Sequence, residues 1–183
     1  HEVRFGADGE LQVRGPLLLS GFLESEDEVE AWTADGFFRT GDLGRVDEQG
    51  FLYIEGRRKS LIMLSTGKKL SPEAIELTLG ATAPFQGAVL FGEGGPFVAA
   101  AVFVDREELA RLAAAGKDAA TALLPRARGA LAAFSDFEKP KKLLVLPGTP
   151  QDYPALLTPT LKIKRDALLA AYGPAVAALF GAR

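Results

Sequence analysis

The sequence predicts an α+β chain in two parts: a β-rich segment over residues 1–57, then a small mixed α/β domain over residues 58–183 whose short sheet is flanked by helices. Three observations predict it. Before the Gly56-Arg57-Arg58-Lys59 run, apolar residues come in short stretches broken by Gly, Pro and Asp, the pattern of strands and turns. After that run, strand-length apolar stretches alternate with Ala- and Leu-rich stretches at helical spacing. The charge divides at the same place: 7 basic and 13 acidic residues through Lys59 give −6, and 14 basic and 11 acidic residues beyond it give +3. At ~100 to 200 residues per domain, the 183 residues make one ordinary domain or two small ones.

Each element has its own warrant. Residues 10–13 alternate as a strand, Gly15-Pro16 punctuates, and Asp35-Gly36 precedes the strand-like Phe37-Phe38-Arg39-Thr40. Residues 43–46 and 51–54 flank Asp47-Glu48-Gln49-Gly50, a hairpin signal. Residues 25–31 form an acidic stretch that predicts a short helix capped by the Ser25 hydroxyl. Such a first part is too small to hold a core alone. In the second part, residues 60–64 predict a strand, residues 66–69 a turn, and Ser71-Pro72 a helix start, with Ser at the N-cap and Pro in the first turn. Residues 88–91 and 97–104 predict an antiparallel hairpin across Gly92-Glu93-Gly94-Gly95. Helices are expected over 106–115 and 118–134, the second kinked or restarted at Pro125. Residues 141–146 predict a strand, 148–160 a polar loop, and 161–180 a closing amphipathic helix with Ile163, Leu168, Leu169 and Tyr172 on its apolar positions.

Composition excludes several chemistries. The chain has no Cys, hence no disulfide, thiolate metal site or thiol nucleophile. Its one His is His1, so a buried Ser-His-Asp relay is not expected. A net charge of −3 argues against a dedicated nucleic-acid binder. No apolar run approaches the ~18 residues of a membrane helix, and the start lacks a signal peptide's pattern, so the expectation is a soluble, cytoplasmic protein with at most peripheral membrane association. The beginning His-Glu-Val, without an initiator Met, predicts a piece of a longer chain.

Three clusters carry possible chemistry. In Thr40-Gly41-Asp42-Leu43-Gly44 the Asp between glycines reads by itself as a turn residue, its carboxylate bonding nearby N–H groups. In Gly56-Arg57-Arg58-Lys59 the bland reading is a solvated basic strand end. The intervening hairpin, however, would return Arg57 beside Asp42, and a carboxylate with a guanidinium fork suits a sugar diol. In residues 157–165 the basic residues sit at an expected helix start, where they oppose the macrodipole. Either they serve a function or they snorkel over apolar surface.

In order, Gly9-Glu10-Leu11-Gln12-Val13-Arg14-Gly15-Pro16, Gly36-Phe37-Phe38-Arg39-Thr40-Gly41-Asp42, Gly56-Arg57-Arg58-Lys59, Ser65-Thr66-Gly67-Lys68-Lys69 with Ser71-Pro72-Glu73-Ala74-Ile75-Glu76, and the Lys162 segment resemble the back end of an AMP-forming acyl-adenylating enzyme. This is the superfamily of acyl-CoA synthetases, peptide-synthetase adenylation domains and firefly luciferase. Phe137-Glu138-Lys139-Pro140-Lys141-Lys142 and Leu157-Thr158-Pro159-Thr160-Leu161-Lys162-Ile163-Lys164-Arg165 are similar to the long-chain fatty acyl-CoA synthetase branch. The resemblance covers almost the whole chain.

The resemblance implies that residues 1–57 are the β-rich tail of a large N-terminal domain and residues 58–183 a mobile C-terminal domain. It implies a reaction in which a fatty acid is activated by ATP to acyl-AMP and then transferred to CoA. Asp42 and Arg57 would hold the ribose, Ile54 would lie beside the nucleotide, and Lys162 would be the catalytic cation of adenylation. Lys59 would be the hinge, and the loop of Gly67 and Lys68 would flank the CoA passage. ATP with Mg2+ and CoA are the expected co-substrates, with the magnesium site in the part absent from this chain and no metal site in the chain itself. Two departures stand out: Leu161 precedes the lysine where much of the superfamily has Gly, and Lys59 stands where many members have Asp. No Ser/Thr/Gly-rich phosphate loop, no Tyr-Gly-x-Thr-Glu segment and no acyl pocket are present, so the 183-residue piece is expected to be inactive alone. The alternatives are a fatty acyl-AMP ligase or adenylation domain that loads a carrier protein, and a non-catalytic interaction module on the same scaffold.

Overall fold

The computed structural model describes residues 1–18 and 31–181. The helix expected over 25–31 lies, save for its last residue, outside the described residues. The chain divides into two compact units, His1–Leu61 and Ile62–Arg183, four residues beyond the expected 57/58 boundary.

The first unit is an antiparallel meander of β1 (Glu2–Phe5), β2 (Glu10–Arg14), β3 (Phe38–Val46) and β4 (Leu52–Arg57), in that order. Its interior is small. Leu11 and Phe37 are buried, and the Arg4 and Arg14 guanidinium groups lie 3.9 and 4.4 Å from the Phe37 ring centre. Arg4 also grips Asp35 through two bonds of 2.5 and 2.9 Å. Stacked cations thus cover an aromatic ring where a larger domain would use more side chains.

The second unit is built around β8 (Ala99–Val104), the middle strand of three. β7 (Phe85–Phe91) runs antiparallel to it and β9 (Lys142–Pro147) parallel to it. All six β8 residues are buried, because both faces are covered, and a doubly covered strand reads as a continuous apolar run. Ala88, Leu90, Ala100, Val102 and Leu143 face α1 (Pro72–Gly80) and α3 (Ala119–Ala130); Val89, Phe91, Ala101 and Phe103 face α4 (Arg165–Phe180). The parallel β8–β9 connection is spanned by α2 (Arg106–Ala114) and α3, with Asp105 and Asp118 accepting backbone N–H bonds at the two N-caps. Ser71 precedes α1 as expected, but its hydroxyl donates to the Glu73 carboxylate at 2.9 Å instead of capping the backbone.

Several expectations are corrected. The strand expected over 60–64 shrinks to β5 (Ile62–Met63), paired with β6 (Lys69–Leu70), after a 3-10 turn over Arg58–Ser60. Met63 pairs with Lys69, and the strand ends there because Leu64 opens the turn, its N–H donating to Lys68 O and its carbonyl accepting from Gly67 N. α3 is one helix through Pro125, held by Leu123 and Ala127 on its buried side, and it ends at Ala130 instead of 134. The closing helix begins at Arg165, not at 161, and bends at Tyr172, two residues before Pro174 removes an N–H and crowds the preceding turn.

Among the described residues, five turns of one kind punctuate the chain. In each, residue i accepts from the N–H of i+3 and donates its own N–H to the carbonyl of i+4, starting at Gly6, Thr33, Asp47, Leu64 and Thr158. This is the three-residue hairpin loop whose third residue takes positive φ. Gly9, Gly36, Gly50 and Gly67 occupy that position in four of them; in the fifth it is Leu161, at φ +61°. A side chain in this conformation costs roughly 1–2 kcal/mol, and Leu161 is 62% exposed, so burial returns little of it. Leu161→Gly is therefore expected to raise stability by about 1 kcal/mol and Gly67→Leu to lower it by a similar amount. Urea midpoints of the two variants, moving in opposite directions, check this.

Candidate functional site

In the first unit the site grows from a β-bulge. Glu10 pairs with Leu43 and Gln12 with Arg39, so Leu11 faces Thr40, Gly41 and Asp42 alone. The excess backbone is stitched locally: the Thr40 hydroxyl donates to Leu11 O at 2.8 Å and accepts from Asp42 N at 3.1 Å. Gly41, at φ +72°, donates its N–H to the buried Glu10 carboxylate at 3.1 Å. Gly44 answers a different need, since a Cβ there would lie 2.4 Å from Tyr53 O. Asp42 is therefore a strand residue, which corrects the turn reading of its sequence neighbourhood.

On the other edge of β3, Asp42 stands in register with Arg57, and the Arg57 Nε lies 3.0 Å from its carboxylate. The hairpin thus brings the two residues together. The Arg57 side chain is 68% exposed, so most of its donor fork faces solvent and is available to a ligand. Ile54 is an exposed apolar residue opposite Gly44. Lys59 is exposed in the 3-10 turn, two residues before the division at Leu61. Its neighbour Arg58 bonds Asp8 at 3.2 Å and Glu10 at 3.4 Å, so one buried carboxylate supports both the bulge under Asp42 and the chain leading to Lys59. That role of Glu10 is set by partners 31 and 48 residues away and has no local signal in the sequence.

In the second unit, Gly67 and Lys162 belong to equivalent turns. Lys68 follows Gly67 at φ +79°, and its ammonium lies 4.6 Å from the Phe137 ring centre. Nothing would touch a Cβ on Gly67, so the glycine is set there by φ and not by space. Lys162 follows Leu161; its N–H bonds the Thr158 hydroxyl at 3.0 Å and its carbonyl accepts from Thr158 N at 2.8 Å. The turn is closed further by pairing of Leu157 with Ile163 and by Lys164 N to Leu156 O at 2.7 Å. Lys162 is exposed, and among the described residues it makes no ion pair. A cation fixed at its backbone and unpaired at its tip can meet an anionic ligand without first breaking a bond. Because the helix begins only at Arg165, Lys162 lies before it and does not oppose its dipole.

Arg165 and Glu76 form a pair that the sequence did not reveal, since they are 89 residues apart and bond at 2.7 Å. Burial is the largest influence on Glu76 and pushes its carboxyl above the ordinary value, against the pull of the Leu90 N–H and Arg165. Among the described residues no group of three or more His, Asp or Glu is placed to hold a metal ion. Nor is any described helix long and apolar enough to cross a membrane.

A family model for the C-terminal domain of AMP-binding enzymes matches residues 59–183. The long-chain-fatty-acid–CoA ligase FadD15 of Mycobacterium tuberculosis is 32% identical over 98% of this chain and 32% of its own length. The 2-succinylbenzoate–CoA ligase of Listeria monocytogenes is 42% identical over 43% of this chain and 17% of its own. Among solved structures, the A domain of a carboxylic acid reductase from Segniliparus rugosus, in complex with AMP and a carboxylic acid, has a TM-score of 0.82. It is 24% identical and is aligned over 94% of this chain and 28% of its own, a likeness of fold. The chain spans about a third of the length of FadD15. With the family model matched across the whole second unit and onto Lys59, the chain belongs to the AMP-binding enzymes and carries their C-terminal domain.

Proposed function

We propose that the chain is the C-terminal part of an AMP-forming long-chain fatty acid–CoA ligase. In the first half-reaction a carboxylate oxygen of the fatty acid attacks the α-phosphorus of ATP, the bond to pyrophosphate breaks, and acyl-AMP forms. In the second, the CoA thiol sulfur attacks the acyl carbon, the bond to AMP breaks, and the thiol proton is lost to solvent.

The observation that carries this reading is Lys162, a cation that makes no ion pair among the described residues and is held at its backbone by the turn from Thr158. Placed against the reacting carboxylate and α-phosphate, it would offset charge that gathers in the transition state. Asp42 would accept from the ribose hydroxyls and Arg57 would donate to the ribose oxygens, with Ile54 alongside the nucleotide; their task is positioning. Rotation about Lys59 would then exchange the Lys162 turn for the Gly67–Lys68 turn, and the pantetheine arm of CoA would enter. The long-chain preference rests on the similarity to FadD15, a named long-chain ligase.

The test uses the full-length protein with ATP, straight-chain fatty acids of increasing length, and either CoA or a holo carrier protein as acceptor. The reading expects acyl-CoA, with the longer acids preferred. Loading of the carrier protein with CoA ignored would replace it by a carrier-loading ligase. Absence of both products with every acid would favour a non-catalytic module.

A further inference from the structure

We propose that Arg165, locked to Glu76 and to the Leu90 backbone, is the positioning residue that holds Lys162 at its working angle. The inference rests on Lys162 being the adenylation cation and adds the device that aims it.

β7 is an edge strand, and edge strands leave every second residue's backbone groups without a strand partner. At Leu90 both groups are taken by this pair. Its N–H donates to Glu76 Oε1 at 2.8 Å, and its carbonyl accepts from Arg165 Nε at 3.1 Å. Arg165 Nη2 closes the ring on the same Glu76 oxygen at 2.7 Å. Three elements thus meet at one residue: α1 through Glu76, β7 through Leu90, and the first residue of α4 through Arg165.

Lys162 lies three residues before Arg165. The other polar bonds of its segment, Leu157 with Ile163 and Lys164 with Leu156, join the segment to itself. Arg165 joins it to the sheet. Without that bond, the segment would rest on the apolar contacts of Leu156, Ile163 and Leu168, which do not specify direction. α1 would stay in place, because Ile75 and Leu79 are fully buried. A half-buried ion pair contributes little net stability once its desolvation is counted, but it does fix geometry. The Arg fork suits this role, since its planar donors meet two acceptors in one fixed geometry, whereas an ammonium on a flexible stem sets no direction.

The selective consequence distinguishes positioning from mere support. Loosening the Lys162 arm should impair adenylation, while the Gly67–Lys68 turn, tied to α1, should still serve thioester formation. In the full-length protein, acid-dependent pyrophosphate–ATP exchange reads the first half-reaction, and acyl-CoA formation from supplied acyl-AMP reads the second. Arg165→Ala is expected to lower the kcat of exchange roughly 10- to 100-fold, with KM for ATP and the thioester step within about threefold, since a misplacement near 1 Å costs about that much. Arg165→Lys should recover part of the loss. If Arg165→Ala fails to fold, Arg165→Met reads the same split, because it keeps the length of the stem while removing the donors to Glu76 and to the Leu90 carbonyl. Equal losses in both half-reactions, or none in either, would overturn the proposal. A parallel Lys162→Ala variant separates the two ideas: if it leaves exchange intact, the role of Lys162 itself is refuted and the positioning role falls with it. If it abolishes exchange while Arg165→Ala does not, only the positioning role falls.

Discussion

Replacing Lys162 by Ala in the full-length protein is expected to lower acyl-adenylate formation by roughly 10²- to 10³-fold, the usual effect of removing one preorganised donor from a developing charge. The side chain is exposed and makes no ion pair among the described residues, so its loss should leave the fold and its melting temperature unchanged. The turn that carries it is made by Thr158 and Leu161 through backbone and hydroxyl bonds that a Lys162→Ala variant keeps. Thioester formation from supplied acyl-AMP should proceed near the wild-type rate, because that step is assigned to the other turn. Comparing the two half-reactions on one preparation therefore checks the role, and an equal loss in both would point to damage of the domain instead.

The largest effect on stability is expected from Phe103→Ala. Phe103 is fully buried near the C-terminal end of the central strand and meets Tyr153 edge-on with ring centres 5.3 Å apart. It packs in the cluster that seats α4 through Leu168 and Val176. Emptying that volume costs about 3–5 kcal/mol, against a total of roughly 5–15 kcal/mol for an ordinary domain. The second unit should become marginal, with its thermal transition lowered by well over 10 °C at about 4–8 °C per kcal/mol. Leu77→Ala serves as control: at 75% exposure on α1 it should change stability by less than about 0.5 kcal/mol. Thermal melts followed by circular dichroism read both.

What was legible in the sequence was what local chemistry decides. The glycines at 36, 50 and 67 announced turns because positive φ is a demand of one residue on itself. The hairpin turn over residues 47–50 announced that Asp42 and Arg57 come near each other, but it pairs Gly44 with Ile54 and would by itself set Asp42 against Gly56. An extra residue, Glu55, shifts the register by one and puts Arg57 opposite Asp42, and nothing local marked that bulge. Leu161 was not legible, because it breaks the rule that marked the other turns. The helix start at Arg165 was not legible either: residues 161–164 continue the apolar spacing of the closing helix, whereas Leu161 and Lys162 complete the turn that starts at Thr158. Pro125 promised a kink that the buried Leu123 and Ala127 override. Glu10 and the Glu76–Arg165 pair were out of reach, since each is defined by partners more than thirty residues away in the chain.

The central claim is that this chain completes an enzyme that joins a carboxylate to AMP. The most direct measurement is the fate of ATP in the full-length protein, followed by separation of nucleotides with and without fatty acid and without CoA. The account predicts that pyrophosphate and acyl-AMP appear together in equal amounts, and only when the acid is present. Release of ADP and phosphate, or consumption of ATP that ignores the acid, would contradict it.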